Sequence, residues 1–316
     1  MGGLCPHATF GGIFVRFTIA RPVAAAFLAV ALAALGAVPA QATTKGALNV
    51  VALGDSYGSG TGAGDYLAGT GVPNGCWRSA NSYSEVVVAR ARAAGIPVSF
   101  ANVTCSGAAS ADLSQTFKGE PPQLDALRRD THLVFLSIGT SDIDFAGYGL
   151  LCVAGDCSGA PSQAEIAELP GMGQNVAALL REIKARSPRA KIVMTGYGSQ
   201  LTSGDNAPGV PLDPICDPGF FSSQERVDGN QVASALDATL RRTARHGGAT
   251  YVSPFLKNSV DLQPTFGGHS LCQADAPYYR GFDALAPGQE GAEAVLHLNK
   301  AGQSALADLV VRTLLR

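Results

Sequence analysis

The chain has 316 residues, 46% of them hydrophobic, and 23 lysines and arginines against 25 aspartates and glutamates, for a net charge of -2. That near balance, with no run of Lys or Arg, argues against nucleic acid or an anionic membrane surface as the principal partner and favours a small or neutral one. The length suits one substantial core, and no shift in composition divides it.

The first segment reads as an export leader. Arg16 and Arg21 precede an Ala-rich apolar run from Val23 to Val38, shorter than the ~20 apolar residues of a membrane span. Small residues follow it, so cleavage is expected after Ala40 or Ala42, leaving one domain over residues 43–316 and no membrane span. An uncleaved amino-terminal anchor is the alternative. Cys5 lies before the apolar run and so is no lipid attachment site.

Beyond the leader, five short apolar runs have strand character: Ala47 to Leu53, Pro97 to Val103, His132 to Ile138, Lys191 to Tyr197 and Ala249 to Ser253. Helical spacing falls between them, from Tyr83 to Ala94, Gln174 to Arg186 and Gln224 to His246, and a last helix runs from Lys300 to Leu314 behind an Asn299 cap. Strands alternating with helices imply an α/β fold: a parallel five-stranded sheet in a flavodoxin-like three-layer α/β/α sandwich. Gly- and Pro-rich stretches at 58–79, 144–161, 198–222 and 254–291 read as long loops, a length that signals binding functions.

Of seven cysteines, Cys5 would leave with the leader. The remaining Cys76, Cys105, Cys152, Cys157, Cys216 and Cys272 read as disulfides in an exported chain. Six cysteines allow fifteen pairings, and spacing alone suggests only that Cys152 and Cys157 close a short loop. Zinc is the rival reading, disfavoured because no C-x-x-C pair or His cluster accompanies them, and no metal or other cofactor is expected.

Ligands of open α/β sheets bind past the carboxyl ends of the strands. There stand Gly54-Asp55-Ser56-Tyr57-Gly58, Cys105-Ser106-Gly107-Ala108 and Gly139-Thr140-Ser141-Asp142, with His297 immediately before the last helix. A serine on a Gly-flanked turn exposes its hydroxyl and can offer amide hydrogens to a developing oxyanion. Gly54-x-Ser56-x-Gly58 also fits the nucleophile elbow of α/β-hydrolases, but there the serine lies in mid-chain, with an acid between it and the histidine.

These four segments, in this order, resemble the conserved blocks of the GDSL/SGNH hydrolase family. The secreted actinobacterial esterase and lipase branch is the nearest match, on Gly54 to Gly60, Cys76-Trp77-Arg78-Ser79, Gly268-His269-Ser270-Leu271-Cys272 and His297-x-Asn299-x-x-Gly302. The resemblance implies a secreted, monomeric serine esterase or lipase acting on small-molecule esters or lipids. Ser56 would be the nucleophile, His297 its base, and the amides of Ser56 and Gly107 the oxyanion donors. It also implies pairing of Cys76 with Cys105, Cys152 with Cys157, and Cys216 with Cys272. If His297 is the base, the rate should fall near its ordinary pKa of ~6.5.

Two positions depart from the family pattern. Ser141 stands where an Asn side chain normally serves the oxyanion, and Ala294 where an acid normally precedes the histidine. A carbonyl at Ala294 or a little upstream, or the carboxylate of Glu293 or Glu290, is then the expected orienter of His297. Reduced activity is one consequence. The extreme alternative is a protein that binds an acyl or glycan ligand in the same cleft without turnover, and a further reading with the same residues is acyl transfer to sugars or deacetylation of polysaccharides. Asp55, Asp142 and Asp144 read as turn and helix-start residues, and His132, His246 and His269 as structural. Trp77 and Arg78 read as a packed pair beside a disulfide or as ligands of an acyl or carboxylate group.

Overall fold

In the sheet, consecutive strand residues point to opposite faces. Val134, Phe135 and Leu136 are nevertheless all fully buried, so both faces of their strand are covered. The computed structural model, which describes residues 46–257, 259–273 and 275–316, shows five strands, with the most deeply buried in the middle: β1 (Leu48–Gly54), β2 (Val98–Asn102), β3 (Leu133–Ser137), β4 (Lys191–Thr195) and β5 (Thr250–Val252). All pair in parallel in the order β2-β1-β3-β4-β5, with Val51 beside both Ala101 and Val134. This is the expected α/β fold. The leader, its two cleavage positions and Cys5 lie outside the described residues.

Six α-helices accompany the sheet among the described residues: α1 (Ser56–Ser59), α2 (Tyr83–Ala93), α3 (Phe145–Ala154), α4 (Ala160–Arg186), α5 (Ser223–His246) and α6 (Lys300–Leu314). α2 packs on α6, and α4 on α5. Their starts follow the capping chemistry of the sequence. Ser222 and Glu225 form a reciprocal capping box on α5, and Asn299 accepts from the Gly302 amide at 3.0 Å on α6.

Two expectations are corrected. The 144–161 stretch is not a loop: it contains α3, whose start is capped by the Asp144 carboxylate, and the first residues of α4. α4 in turn begins fourteen residues before the expected Gln174 and passes through Pro170. Pro170 is exposed and removes the helical bond to the Ile166 carbonyl, while Ser162, Leu169, Met172 and Val176 continue the buried face across it. Burial of that face outweighs the local cost of the proline.

The six cysteines form three disulfides, Cys76–Cys105, Cys152–Cys157 and Cys216–Cys272. All the sulfur ligands that a zinc site would have needed are thereby consumed.

Candidate active site

β1 ends at Gly54, which adopts φ 131°; a Cβ there would stand 2.0 Å from the Ser137 carbonyl oxygen of β3. Only glycine permits so close an approach. The turn that follows is organised by Asp55, fully buried, whose carboxylate accepts from the Tyr57 amide at 3.0 Å and the Gly58 amide at 3.4 Å. The Tyr197 hydroxyl also donates to it. Burial pushes the Asp55 carboxyl up to about 6 against these hydrogen bonds, which favour its charged form.

Ser56 is the first residue of α1, and its hydroxyl lies 2.7 Å from Nε2 of His297, 241 residues away. On the other side of the imidazole, Nδ1 lies 3.1 Å from the Val295 carbonyl oxygen. A carbonyl can only accept, so the neutral ring carries its proton on Nδ1 and presents the Nε2 lone pair to Ser56. Burial lowers the His297 pKa from 6.5 to about 4, partly offset by that carbonyl.

The orienting group is therefore Val295, one residue past Ala294 rather than at or upstream of it. The Ala294 carbonyl instead accepts the main-chain amide of His297 at 3.1 Å. Neither expected carboxylate reaches the ring. Glu293 accepts from the Trp77 indole at 2.6 Å, and Glu290 accepts from the Tyr66 hydroxyl at 2.7 Å and pairs with Arg280 at 3.1 Å.

The loops after β2 and β3 are tied to this turn by main-chain bonds. Cys105 donates to the Gly54 carbonyl and Asp55 to that of Ser137, each at 2.9 Å. Gly107 follows Cys105 at φ 82°, and the amides of Ser56 and Gly107 find no acceptor among the described residues. Ser141 is partly buried on the turn after β3, and its hydroxyl likewise makes no hydrogen bond among them. Its neighbour Asp142 is a tether: it accepts from both the amide and the hydroxyl of Ser110, at 3.0 and 2.9 Å.

The His297 loop is held from several sides. Arg280 donates its amide to the His297 carbonyl and accepts from the Leu296 amide, both at 2.8 Å, while its guanidinium reaches Glu290, Asp283 and the Gly62 carbonyl. Leu296 adopts φ 62°, a left-handed conformation costly for a branched side chain. Its carbonyl accepts from the Tyr57 hydroxyl at 2.6 Å; the Tyr57 ring lies 4.9 Å from the imidazole and its hydroxyl accepts from Gln200 at 3.0 Å. The roles of Tyr57, Gln200, Arg280 and the Val295 carbonyl were missed by sequence reasoning. Tyr57 alone carried a signal, as the neighbour of Ser56.

The remaining side chains have local duties. His132 accepts from the Asn49 amide at 3.0 Å, and His269 stacks on Tyr278 with ring centres 4.0 Å apart. Trp77 packs 4.9 Å from Tyr66, and Arg78 pairs with Glu120 at 3.0 Å.

A serine hydroxyl facing the free lone pair of a carbonyl-oriented imidazole, at the carboxyl edge of a parallel sheet, is the arrangement of a serine hydrolase. The chain belongs to the GDSL-like lipase/acylhydrolase family, which it matches over residues 52–305. It is 30% identical to Lipase 1 of Streptomyces coelicolor over 296 residues, covering 92% of this chain and 95% of that protein. Among solved structures it resembles the extracellular lipase of Streptomyces rimosus (26% identity, TM-score 0.63, 84% of this chain and 99% of that one). It also resembles phospholipase A1 of Streptomyces albidoflavus (28% identity, TM-score 0.62, 84% and 98%).

Proposed function

We propose that this chain is an exported serine esterase or lipase that hydrolyses carboxylic acyl esters through an acyl-serine intermediate. The observation that carries this reading is the 2.7 Å approach of Ser56 Oγ to His297 Nε2. His297 takes the serine proton as Oγ attacks the acyl carbon, then returns it to the leaving alcohol. Water repeats the sequence to release the acid. The unpartnered amides of Ser56 and Gly107 receive the oxyanion, and Ser141 adds its hydroxyl. The Val295 carbonyl holds the ring in the required tautomer and stabilises the imidazolium as it forms.

Export is supported by the leader-like start of the sequence and by the three disulfides. The extracellular lipase of S. rimosus supports it as well. The test is hydrolysis of p-nitrophenyl acetate and a longer homologue by oxidised protein and by its Ser56→Ala variant. Turnover by the parent and none by the variant is the expected result. Equal, negligible rates would replace the esterase reading with that of a protein that binds its ligand without turnover.

A further inference from the structure

Glycine inside a helix is unfavourable relative to alanine and usually has a local reason. Gly58, where a Cβ would press on Thr104 at 3.2 Å, and three glycines of the longer helices have one, while Gly171 of α4 is exposed with nothing near it. A Cβ at Gly147 would meet the Asp144 capping carboxylate, one at Gly173 would press on Thr239 and Thr243 at 3.3 Å, and one at Gly302 would strike the Tyr278 carbonyl. Gly149 in α3 and Gly229 in α5 also have none, and unlike Gly171 both line a cleft. Neither has a positive φ, and a Cβ at either would find its nearest neighbour at 3.9 Å, Leu296 Cδ1 and the Tyr148 hydroxyl respectively. What these two glycines leave is volume.

That volume belongs to a narrow, predominantly apolar cleft that opens to solvent, walled by α3 and α5 and bordered by Phe145, Leu201, Phe221 and Leu296. It adjoins the segments that carry Ser56 and His297, since its lining Leu296 precedes His297 and its lining Gln200 donates to Tyr57, the neighbour of Ser56. Two charged residues also line it, but both are engaged elsewhere. The Arg226 guanidinium donates to the carbonyls of Cys216 and Phe221 at 2.7 and 3.0 Å and to Asn206. Glu225 accepts from the amides of Cys157 and Ser222 at 3.1 and 2.8 Å. Asn230 also lines the cleft, with a buried Oδ1 that has no hydrogen-bond partner among the described residues; the rest of the wall is apolar or already paired and suits an uncharged chain.

We propose that Gly149 and Gly229 determine acyl-chain specificity, keeping the α3–α5 cleft open for the fatty acyl chain of the ester cleaved at Ser56. This rests on the esterase reading above and adds to it the residues that select the length of the acyl chain. Each methylene withdrawn from water is worth about fourfold in kcat/KM, so a leucine that excludes a few of them has a large effect.

The experiment measures kcat/KM for p-nitrophenyl acetate and octanoate with the parent, Gly149→Leu, Gly229→Leu and the two matching Ala variants, each checked by thermal melting. The octanoate-to-acetate ratio should fall at least tenfold in the Leu variants and by a smaller factor in the Ala variants, whose higher helix propensity favours folding. A ratio unmoved by all four overturns the proposal. A second arm uses Ser56→Ala protein and a fluorescent polyene fatty acid, which requires no turnover. Saturable binding that weakens when either glycine is also replaced supports the assignment, and binding indifferent to both replacements overturns it. If the parent cleaves neither ester, the esterase reading fails and the binding arm alone decides the cleft.

Discussion

The Nδ1 of His297 and the main-chain carbonyl of Val295 lie 3.1 Å apart, two residues along the same chain. The imidazole that faces Ser56 is thus oriented by a backbone dipole, with the carboxylates of Glu290 and Glu293 committed to other partners. A backbone carbonyl cannot titrate, so it fixes the same tautomer at every pH at which the ring is neutral.

This arrangement shapes the pH profile. A base works in its neutral form, and burial lowers the His297 pKa to about 4. The rate attributable to His297 should therefore hold below the ordinary pKa of ~6.5 and fall only as pH approaches about 4. Asp55, pushed up to about 6, titrates inside that window: its carboxylate is ionised above this value and gains a proton below it, weakening the cap on the Ser56 turn. A kcat/KM profile of the parent beside Asp55→Asn separates the two. An inflection near 6 that disappears in the variant belongs to Asp55, and one near 6.5 that persists would contradict the lowered His297 value.

Tyr57→Phe keeps the ring beside His297 but removes the hydroxyl that bonds the Leu296 carbonyl and the Gln200 amide. Leaving such groups unsatisfied costs about 1–3 kcal/mol. Stability should drop by that order, and kcat by about tenfold with KM little changed, as Leu296 relaxes and the imidazole loses its aim. Melting curves and steady-state kinetics check both. Full kcat would show that Arg280 and Ala294 suffice to hold the loop.

Ser141→Asn supplies an amide donor where the hydroxyl has no hydrogen-bond partner among the described residues. One oxyanion donor is worth about 100- to 1000-fold in rate. An increase in kcat of at least about tenfold is expected from a site limited at that donor. No increase would mean that the Ser56 and Gly107 amides already satisfy the oxyanion.

The disulfides should differ in weight. Their sequence separations are 56 for Cys216–Cys272, 29 for Cys76–Cys105 and 5 for Cys152–Cys157. Loop-closure entropy then ranks them at about 4, 3.5 and 2 kcal/mol. Thermal unfolding of the three paired Cys→Ala variants tests this order. Loss of Cys76–Cys105 should also lower kcat, because Cys105 stands two residues before Gly107.

Much of this was legible in the chain. The central strands β1, β3 and β4 were readable because residues buried on both faces form continuous apolar runs, and α5 and α6 because their caps are local chemistry. α3 and the first half of α4 were not. Their glycines and Pro170 are breakers by propensity, and only packing against the rest of the molecule outweighs them. The strand-end turns that hold Ser56, Gly107 and Ser141, and a histidine before a capped helix, leave marks in sequence, and the resemblance to the GDSL/SGNH family implied what each residue would do there.

By itself, then, the sequence determined the parallel sheet, the order of its strands along the chain and the serine turn, all products of short-range periodicity and capping. The tertiary structure decided what lies across the imidazole from Ser56. The Val295 carbonyl has no side-chain signature, since every residue carries the same peptide group, and its aim depends on Leu296 held left-handed between Arg280 and Tyr57. The open α3–α5 cleft was decided there too, because a glycine shows what it lacks only when its neighbours are in place.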